Sequence, residues 1–158
     1  MIKLSYEQQI AFNSLSIIVG NALYALTVVL FLVPSGLITG GATGIGKAVA
    51  LKLVAQGVNV VMSGRRADVG ALALAEVSAA ARDGAQVRFV QNDVSDEAKV
   101  KSMIDGIVAE FGRLDMAVNN AGIFENKPFF DLGASDFGRM MDVNVTALFL
   151  LSQAVARR

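Results

Sequence analysis

The sequence predicts an α/β fold, a doubly wound parallel sheet with strand order 3-2-1-4 that follows an apolar N-terminal helix. Three observations predict it. After Thr39, short apolar runs alternate with stretches whose apolar residues recur every three or four positions, which is typical of parallel βαβ units. A glycine-rich stretch over residues 39–46 lies where the first strand meets the first helix. Ahead of it, residues 10–33 form an uncharged apolar run.

The composition narrows the classes of function. The chain has 158 residues, which we divide into an apolar helix over residues 1–35 and an α/β domain over residues 36–158. Its 14 basic and 14 acidic residues give a net charge of zero, so nothing favours nucleic acid as a partner. The absence of Cys and His excludes disulfides, thiol nucleophiles and imidazole bases, and we expect no metal site.

The N-terminal apolar run is long enough to cross a membrane. No charged residue occurs between Glu7 and Lys47, and residues 10–33 approach the roughly 20 residues that a transmembrane helix needs. Lys3 precedes this run, whereas Lys47 and Lys52 follow it, which favours a domain on the cytoplasmic side, anchored to the inner membrane. A buried helix and strand of a soluble protein and a signal peptide are the alternatives.

The elements after the glycine-rich stretch follow from periodicity and end signals. We predict strands over residues 58–63, 87–90 and 114–118, and helices over residues 44–56, 68–82, 95–112 and 135–158. The first helix presents Ile45, Val49 and Leu53 on one face. Ser95 is the expected cap of the third helix, and Gly112 its end.

The predicted first strand adjoins the predicted membrane span, so the two interpretations of the chain conflict there. A strand over residues 33–38 would be central, but Pro34 has no N–H for a ladder and Gly36 weakens one. If residues 10–33 remain in a bilayer, we expect this strand to be short or lost. If the soluble fold forms, the apolar segment must be covered or must drive association into a homo-oligomer.

The last predicted helix carries one apolar stripe, formed by Phe137, Met140, Met141, Asn144, Leu148 and Leu151. Asn144 interrupts the stripe, where an unpaired amide would be costly. Either its amide is satisfied within the core, or it has a functional role.

The glycine-rich stretch has a physical logic of its own. A tight turn from strand to helix needs residues without Cβ, so that backbone N–H groups reach a pyrophosphate at the helix N-terminus. Gly40, Gly44 and Gly46 meet that demand. Taken alone, the stretch is weak evidence, because a plain turn uses the same residues.

Two motifs together resemble one family. The spacing Thr-Gly-x-x-x-Gly-x-Gly over residues 39–46, followed by Asn-Asn-Ala-Gly over residues 119–122, closely resembles the short-chain dehydrogenase/reductase family. The resemblance covers residues 36–158 and implies a partial Rossmann-like sheet in an NAD(P)-dependent oxidoreductase. The cofactor-binding residues that it implies are Thr39, Gly40, Thr43, Gly44, Ile45, Gly46, Asp93, Val94, Asn119, Ala121 and Gly122.

The same resemblance implies roles for individual residues. Asp93 and Val94 match the pair that contacts the adenine, and residues 119–122 match the motif that supports the central sheet beside the cofactor. Asn144 matches the family's helix asparagine, which holds a water in the proton relay, and is our catalytic candidate.

The choice of cofactor depends on the end of the second strand. An acidic residue there binds the ribose hydroxyls of NAD, but this position holds Gly64. Arg65 follows and offers a planar, permanently charged fork for a 2′-phosphate, with Arg66 beside it. We therefore expect NADP rather than NAD, the alternative being that both arginines are solvated surface charges.

The reacting groups of the family have no counterpart here. The resemblance implies a serine and a Tyr-x-x-x-Lys motif beyond Asn144, with the tyrosine as general acid or base. The chain stops at Arg158, its two tyrosines are Tyr6 and Tyr24, and Ser152 falls too early to match. We therefore expect a truncated, cofactor-binding half that is inactive as this chain alone, with a small-molecule substrate that cannot be read.

The front of the chain resembles a different family. Residues 21–26 and 30–46, with the elements Pro-x-Gly and Gly-Gly-x-Thr-Gly, look like the first span and loop of the YitT-like bacterial multi-pass membrane proteins. Because residues 39–46 satisfy both resemblances, the chain could be a chimera. The alternative functions are thus a fragment of such a membrane protein, or a generated sequence with no evolved activity.

Overall fold

The computed structural model describes residues 33–158 of the chain. The strands are β1 (Ser35–Thr39), β2 (Asn59–Gly64), β3 (Val87–Gln91) and β4 (Met116–Val118). The helices are α1 (Gly44–Val54), α2 (Ala67–Ala79), α3 (Glu97–Phe111), α4 (Ala134–Met141) and α5 (Ala147–Ala156). A short 3₁₀ turn (Phe129–Asp131) precedes α4, and a π-helical segment (Asp142–Thr146) joins α4 to α5.

Of the predicted apolar helix over residues 1–35, residues 1–32 lie outside the described residues, and Ser35 belongs to β1. The predicted membrane anchoring over residues 10–33 lies, apart from Val33, outside the described residues as well. Within residues 33–158, no helix combines the length and the apolar character that a membrane crossing requires. The division of the chain at residue 35 stays a prediction.

The sheet is parallel and has the order β3-β2-β1-β4, which confirms the predicted strand order. In β1, Gly36 lies between Val60 of β2 and Met116 of β4. Because β2 and β4 lie on opposite sides of β1, the chain reverses its winding direction there. Ligands of open α/β sheets bind at such a switch point, beyond the carboxyl ends of the strands.

The central strand forms despite its two unfavourable residues. Pro34 precedes the strand, and its carbonyl accepts a hydrogen bond from the Asn59 N–H at 2.9 Å. Ser35, the first strand residue, donates its N–H to Oδ2 of Asp115 at 2.8 Å. Gly36 lies within the ladder, and every residue of β1 is buried. The expected weakening is therefore avoided, because Pro34 falls outside the ladder.

Two apolar layers cover the sheet. The layer with α1 and α2 contains Ile38, Ala50, Val54, Val60, Met62, Ala73, Val77 and Val87. The layer with α3 and α5 contains Leu37, Val61, Val100, Met103, Ile104, Ile107, Phe111 and Leu151. The sheet is thus buried on both faces, as all-parallel sheets are.

The buried face of α1 differs from the prediction by one position. Gly46, Ala50 and Val54 are buried, whereas Ile45 is 78% exposed. The face with the small residues Gly46 and Ala50 is buried because small residues let the helix approach its neighbours closely. A Cβ at Gly46 would lie 2.6 Å from the Gly40 carbonyl oxygen. The larger Val49 and Leu53 are only partly buried at the edge of the core.

The cap of α3 also differs from the prediction. Asp96, rather than Ser95, is the N-cap, and its Oδ1 accepts from the Lys99 N–H at 3.1 Å. The hydroxyl of Ser95 donates to Asp93 instead. Gly112 ends the helix with a φ of +74°, as predicted.

The predicted final helix is interrupted. The π-helical segment Asp142–Thr146 inserts a wider turn, which shifts the angular phase of the residues that follow it. The predicted single stripe is therefore wrong: Leu151 is buried, but Phe137, Met141 and Leu148 are exposed.

Candidate dinucleotide-binding site

A cleft of about 500 Å³ lies at the carboxyl ends of the strands, where the winding of the sheet reverses. Its walls come from the loop before α1, the turn after β2 and the segments after β3 and β4. The lining residues are Gly40, Ala42, Thr43, Gly44, Ile45, Gly64, Arg65, Arg66, Val69, Asn92, Asp93, Val94, Asn120, Ala121, Gly122, Ile123 and Val143.

Most of the residues predicted to bind a cofactor come together in this cleft. The predicted residues that line it are Gly40, Thr43, Gly44, Ile45, Arg65, Arg66, Asp93, Val94, Ala121 and Gly122. Thr39, Gly46, Asn119 and Asn144 are not among its lining residues. Thr39 and Gly46 instead hold the loop from below, through contacts with Asn120.

The glycines of the loop meet three different demands. Gly40 and Gly44 have φ values of +64° and +52°, in the left-handed region that favours glycine. Gly46 is packed, because a Cβ there would lie 2.5 Å from Nδ2 of Asn120. Gly44 is open, since an added Cβ would meet nothing within 4 Å. The loop is thus closely packed at Gly46 and open to the cleft at Gly44.

Asn120 holds the loop to the fourth strand. Its side-chain Nδ2 donates to the carbonyl oxygens of Thr39 at 3.0 Å and Gly40 at 3.2 Å. The Thr39 hydroxyl in turn accepts from the backbone N–H groups of Asn120 and Ala121, both at 3.1 Å. These bonds join segments some 80 residues apart and fix where the loop begins.

Sequence reasoning did not select Asn120 as a site residue and chose Asn119 instead. In the structure, Nδ2 of Asn119 donates to the Ser152 hydroxyl at 3.0 Å, away from the loop. The two asparagines follow directly after β4, and successive side chains of an extended segment point to opposite faces. The signal lay in the motif, but the motif alone does not tell which amide faces the glycines.

The helix that follows the loop presents unpaired donors. The first N–H groups of any α-helix have no partner within the helix and carry partial positive charge. Thr43 is the N-cap of α1, and its side chain makes no capping hydrogen bond. Its extended backbone leads the chain into α1 at Gly44, on the wall of the cleft. This end of the cleft is therefore suited to an anion.

The turn between β2 and α2 places two arginines on the opposite wall. Gly64 ends β2, and Arg65 and Arg66 connect it to the first residue of α2, Ala67. All three turn residues line the cleft. The position expected to hold an acid in an NAD site thus offers no carboxylate, and permanent positive charge lies beside it.

Asp93 supplies the negative charge of the cleft. Burial raises the pKa of Asp93. Hydrogen bonds from the hydroxyl and the N–H of Ser95, at 2.8 and 3.1 Å, lower it, as do the positive charges of Arg65 and Lys99, and these effects together outweigh burial. The pKa of Asp93 is therefore below its usual value, and its side chain is a carboxylate at neutral pH. An ionised carboxylate accepts hydrogen bonds only, which suits an amino group of a ligand.

Asn144 lies in the π-helical segment and holds the backbone of Ile123. Its Oδ1 accepts from the Ile123 N–H at 2.8 Å, and its Nδ2 donates to the Ile123 carbonyl at 2.9 Å. The amide is satisfied, but Asn144 is exposed rather than part of a buried stripe. Ile123 lines the cleft, so Asn144 fixes one stretch of its wall. Its place in a proton relay stays a prediction.

The residues of the cleft fit a dinucleotide. The α1 N-terminus and the open face of Gly44 suit a pyrophosphate, the arginines suit a further phosphate, and Asp93 suits an amino group. Among residues 33–158, no group of three or more His, Cys, Asp or Glu side chains is placed to hold a metal ion.

The comparison with known families agrees with this geometry. Residues 36–158 match the family model described as short chain dehydrogenase. The chain belongs to the short-chain dehydrogenase/reductase family, whose members use NAD or NADP. It spans about half the length of the curated relatives it matches.

Individual relatives carry either cofactor. An NADP-dependent (R)-specific alcohol dehydrogenase of Lentilactobacillus kefiri is 40% identical over 114 residues, which are 72% of this chain and 43% of that enzyme. A short chain dehydrogenase of Burkholderia cenocepacia, solved with NADP, is similar with a TM-score of 0.72 and 36% identity, over 79% of this chain and 50% of that one. An NAD⁺-bound xylitol dehydrogenase is similar with a TM-score of 0.73 and 32% identity, over 78% of this chain and 47% of that one.

The family model covers the glycine loop and everything after it, to residue 158. This match and the similar proteins support the oxidoreductase family and give no support to the likeness to YitT-like membrane proteins or to a chimera. The similar structures include both an NAD⁺ complex and an NADP complex, so the similarity does not distinguish the two cofactors for this chain.

Proposed function

We propose that residues 33–158 bind a nicotinamide adenine dinucleotide, NADP in preference to NAD, in the cleft at the carboxyl ends of the strands. The observation that supports this most is the clamp of Asn120 on Thr39 and Gly40. It holds the glycine loop in a shape that exposes the N-terminus of α1 to the cleft. When bound, the nicotinamide supplies the hydride of an oxidoreductase.

The pyrophosphate lies over Gly40, Gly44 and Gly46 in this proposal. Three features support it: the positive φ of Gly40 and Gly44, the open face of Gly44, and the tight packing of Gly46 that brings α1 close. The backbone N–H groups at the start of α1 then donate to phosphate oxygens. Ile45 is 78% exposed at this point and covers the phosphates with an apolar side chain.

The adenosine end lies between the turn after β2 and the segment after β3. Arg65 binds the 2′-phosphate as a planar fork, with Arg66 beside it. Asp93 accepts from the adenine amino group, and Val94 packs against the ring. The absence of an acid at Gly64 supports NADP, because a carboxylate there would repel the phosphate.

The nicotinamide end lies along Ala121, Gly122 and Ile123. Asn144 holds Ile123 by two hydrogen bonds and so keeps this wall in place. In the proposal Asn144 also holds a water of the proton relay, which its exposure permits. Asn119 supports this wall indirectly, because its hydrogen bond to Ser152 joins the segment after β4 to α5.

The 158-residue chain is proposed to bind the cofactor without sustaining turnover. A general acid or base typically contributes about 10²–10⁴-fold to a rate. The tyrosines of the chain are Tyr6 and Tyr24, both ahead of the glycine loop, and neither has a lysine four residues later.

The cofactor preference is tested by titrating NADPH and NADH, followed by nicotinamide fluorescence, against the chain and its Arg65→Glu variant. We expect the wild type to prefer NADPH, and Arg65→Glu to lower NADPH affinity about 10-fold or more, because a charged hydrogen bond is lost. Arg82→Glu, an exposed charge reversal outside the cleft, is the matched control. Equal affinities in the wild type would defeat the NADP assignment.

A further inference from the structure

We propose that Gln91 is a positioning residue that sets the preference for NADP by holding Arg65, an inference that rests on the proposed function. Gln91 is the last residue of β3 and is paired with Gly64 of β2. Its side-chain Nε2 donates to the backbone carbonyl of Arg65 at 3.0 Å. The next residue, Asn92, donates its N–H to the Gly64 carbonyl at 3.0 Å.

The side chain of Gln91 ties the turn after β2 to the end of β3. The ladder between β2 and β3 ends at Gly64, and the next carbonyl, that of Arg65, already belongs to the turn. The side chain of Gln91 supplies the donor for this carbonyl. The carbonyl of Arg66 is held separately, by the Gly70 N–H of α2 at 3.0 Å. The turn is therefore fixed at both of its arginines.

Fixing the backbone of Arg65 matters because arginine has a long and flexible side chain. A guanidinium that binds a phosphate through two N–H groups needs an arginine side chain whose Cα has a defined position and direction. Gln91 is exposed and does not line the cleft, so it acts through Arg65 rather than by touching a ligand. Its side chain is neutral and leaves the positive charge of the turn undiminished.

The role of Gln91 is tested with Gln91→Met, which keeps the length of the side chain and removes the donor. NADPH and NADH are titrated against the wild type, Gln91→Met, Arg65→Ala and the double variant. We expect Gln91→Met to weaken NADPH binding about 2- to 10-fold, the range of one ordinary hydrogen bond, and to leave NADH binding unchanged. In the Arg65→Ala background the same substitution has no further effect.

The control is Gln86→Met, directly before the start of β3, where the side-chain amide oxygen accepts a hydrogen bond from Arg88. It leaves the ratio of the two affinities unchanged, and thermal unfolding checks that every variant is folded. If Gln91→Met weakens both cofactors equally, or acts equally without Arg65, its role is structural and the inference is wrong. If the wild type binds neither cofactor, the proposed function itself fails, which is a different result from an unchanged ratio in Gln91→Met.

Discussion

Asn120 donates two hydrogen bonds to Thr39: its side-chain amide donates to the Thr39 carbonyl at 3.0 Å, and its backbone N–H donates to the Thr39 hydroxyl at 3.1 Å. Thr39 ends β1 and Asn120 follows β4, so this pair fastens two neighbouring strands at the edge where the cleft opens. The glycine loop begins at this pair, and its shape therefore depends on a residue far away in the sequence.

Replacing Asn120 by Ala removes this fastening. The carbonyls of Thr39 and Gly40 each lose a donor, so we expect the free energy of unfolding to fall by about 1–3 kcal/mol. NADPH affinity should fall as well, because the loop is no longer held. Urea unfolding and NADPH titration measure the two effects. Gln153→Ala, an exposed amide on α5, is the control, and an equal loss in both variants would contradict the role of Asn120.

Two glycines within helices should respond oppositely to alanine. At Gly46 an added Cβ would lie 2.5 Å from Nδ2 of Asn120, so Gly46→Ala must displace the loop and lower both stability and NADPH affinity. At Gly106 of α3 nothing lies within 4 Å, so Gly106→Ala should stabilise by about 0.5–1 kcal/mol through helix propensity. Thermal unfolding of the pair checks this, and a stable, binding-competent Gly46→Ala would refute the close packing.

Changing Asn144 to Asp should loosen the cleft wall at Ile123. A carboxylate keeps an acceptor for the Ile123 N–H but places negative charge against the Ile123 carbonyl, where the amide donated at 2.9 Å. We expect faster hydrogen exchange of the Ile123 amide, measured by NMR, and an unchanged rate for amides of α3. Thr146→Ala, in the same π-helical segment, is the control. Unchanged protection of Ile123 in Asn144→Asp would show that its amide is held by other contacts.

The stability of the sheet should depend on the charge of Asp115. Burial raises the pKa of Asp115, but hydrogen bonds from Arg113 and the Ser35 N–H outweigh burial, so its pKa is below the usual value. A lowered pKa in the folded state means a stabilising contribution that is complete above the unfolded value and is lost as the pH falls through the folded one. Unfolding measured from neutral to strongly acid pH should therefore lose less stability in Asp115→Asn than in the wild type. Asp131→Asn, on an exposed turn, is the control, and an unaltered pH profile in Asp115→Asn would contradict the assignment.

The strand order, the position of the glycine loop and the family could be read from the sequence, because each depends on local spacing. Alternating apolar runs set a parallel sheet, and residues 39–46 with 119–122 identify the two strand ends that meet. These features repeat a pattern that any chain of this fold must satisfy.

What the sequence did not supply depends on packing between distant segments. Whether Asn119 or Asn120 faces the loop depends on the strand phase, and the buried face of α1 depends on how closely Gly46 approaches its neighbours. The π-helical segment around Asn144 changes the phase of the last helix, which a regular period of 3.6 residues cannot reveal. Gln91 was not predicted because a side-chain hydrogen bond to a turn carbonyl leaves no signal in the sequence.

The central claim is that the glycine loop and the start of α1 bind the pyrophosphate of NADPH, and Gly44→Asp tests it most directly. A Cβ at Gly44 meets nothing within 4 Å, and aspartate tolerates the φ of +52°, so the fold should persist while a negative charge occupies the phosphate position. Titration by nicotinamide fluorescence should show saturable NADPH binding to the wild type and none to a folded Gly44→Asp. Equal binding by both, or no binding by the wild type, would contradict the account.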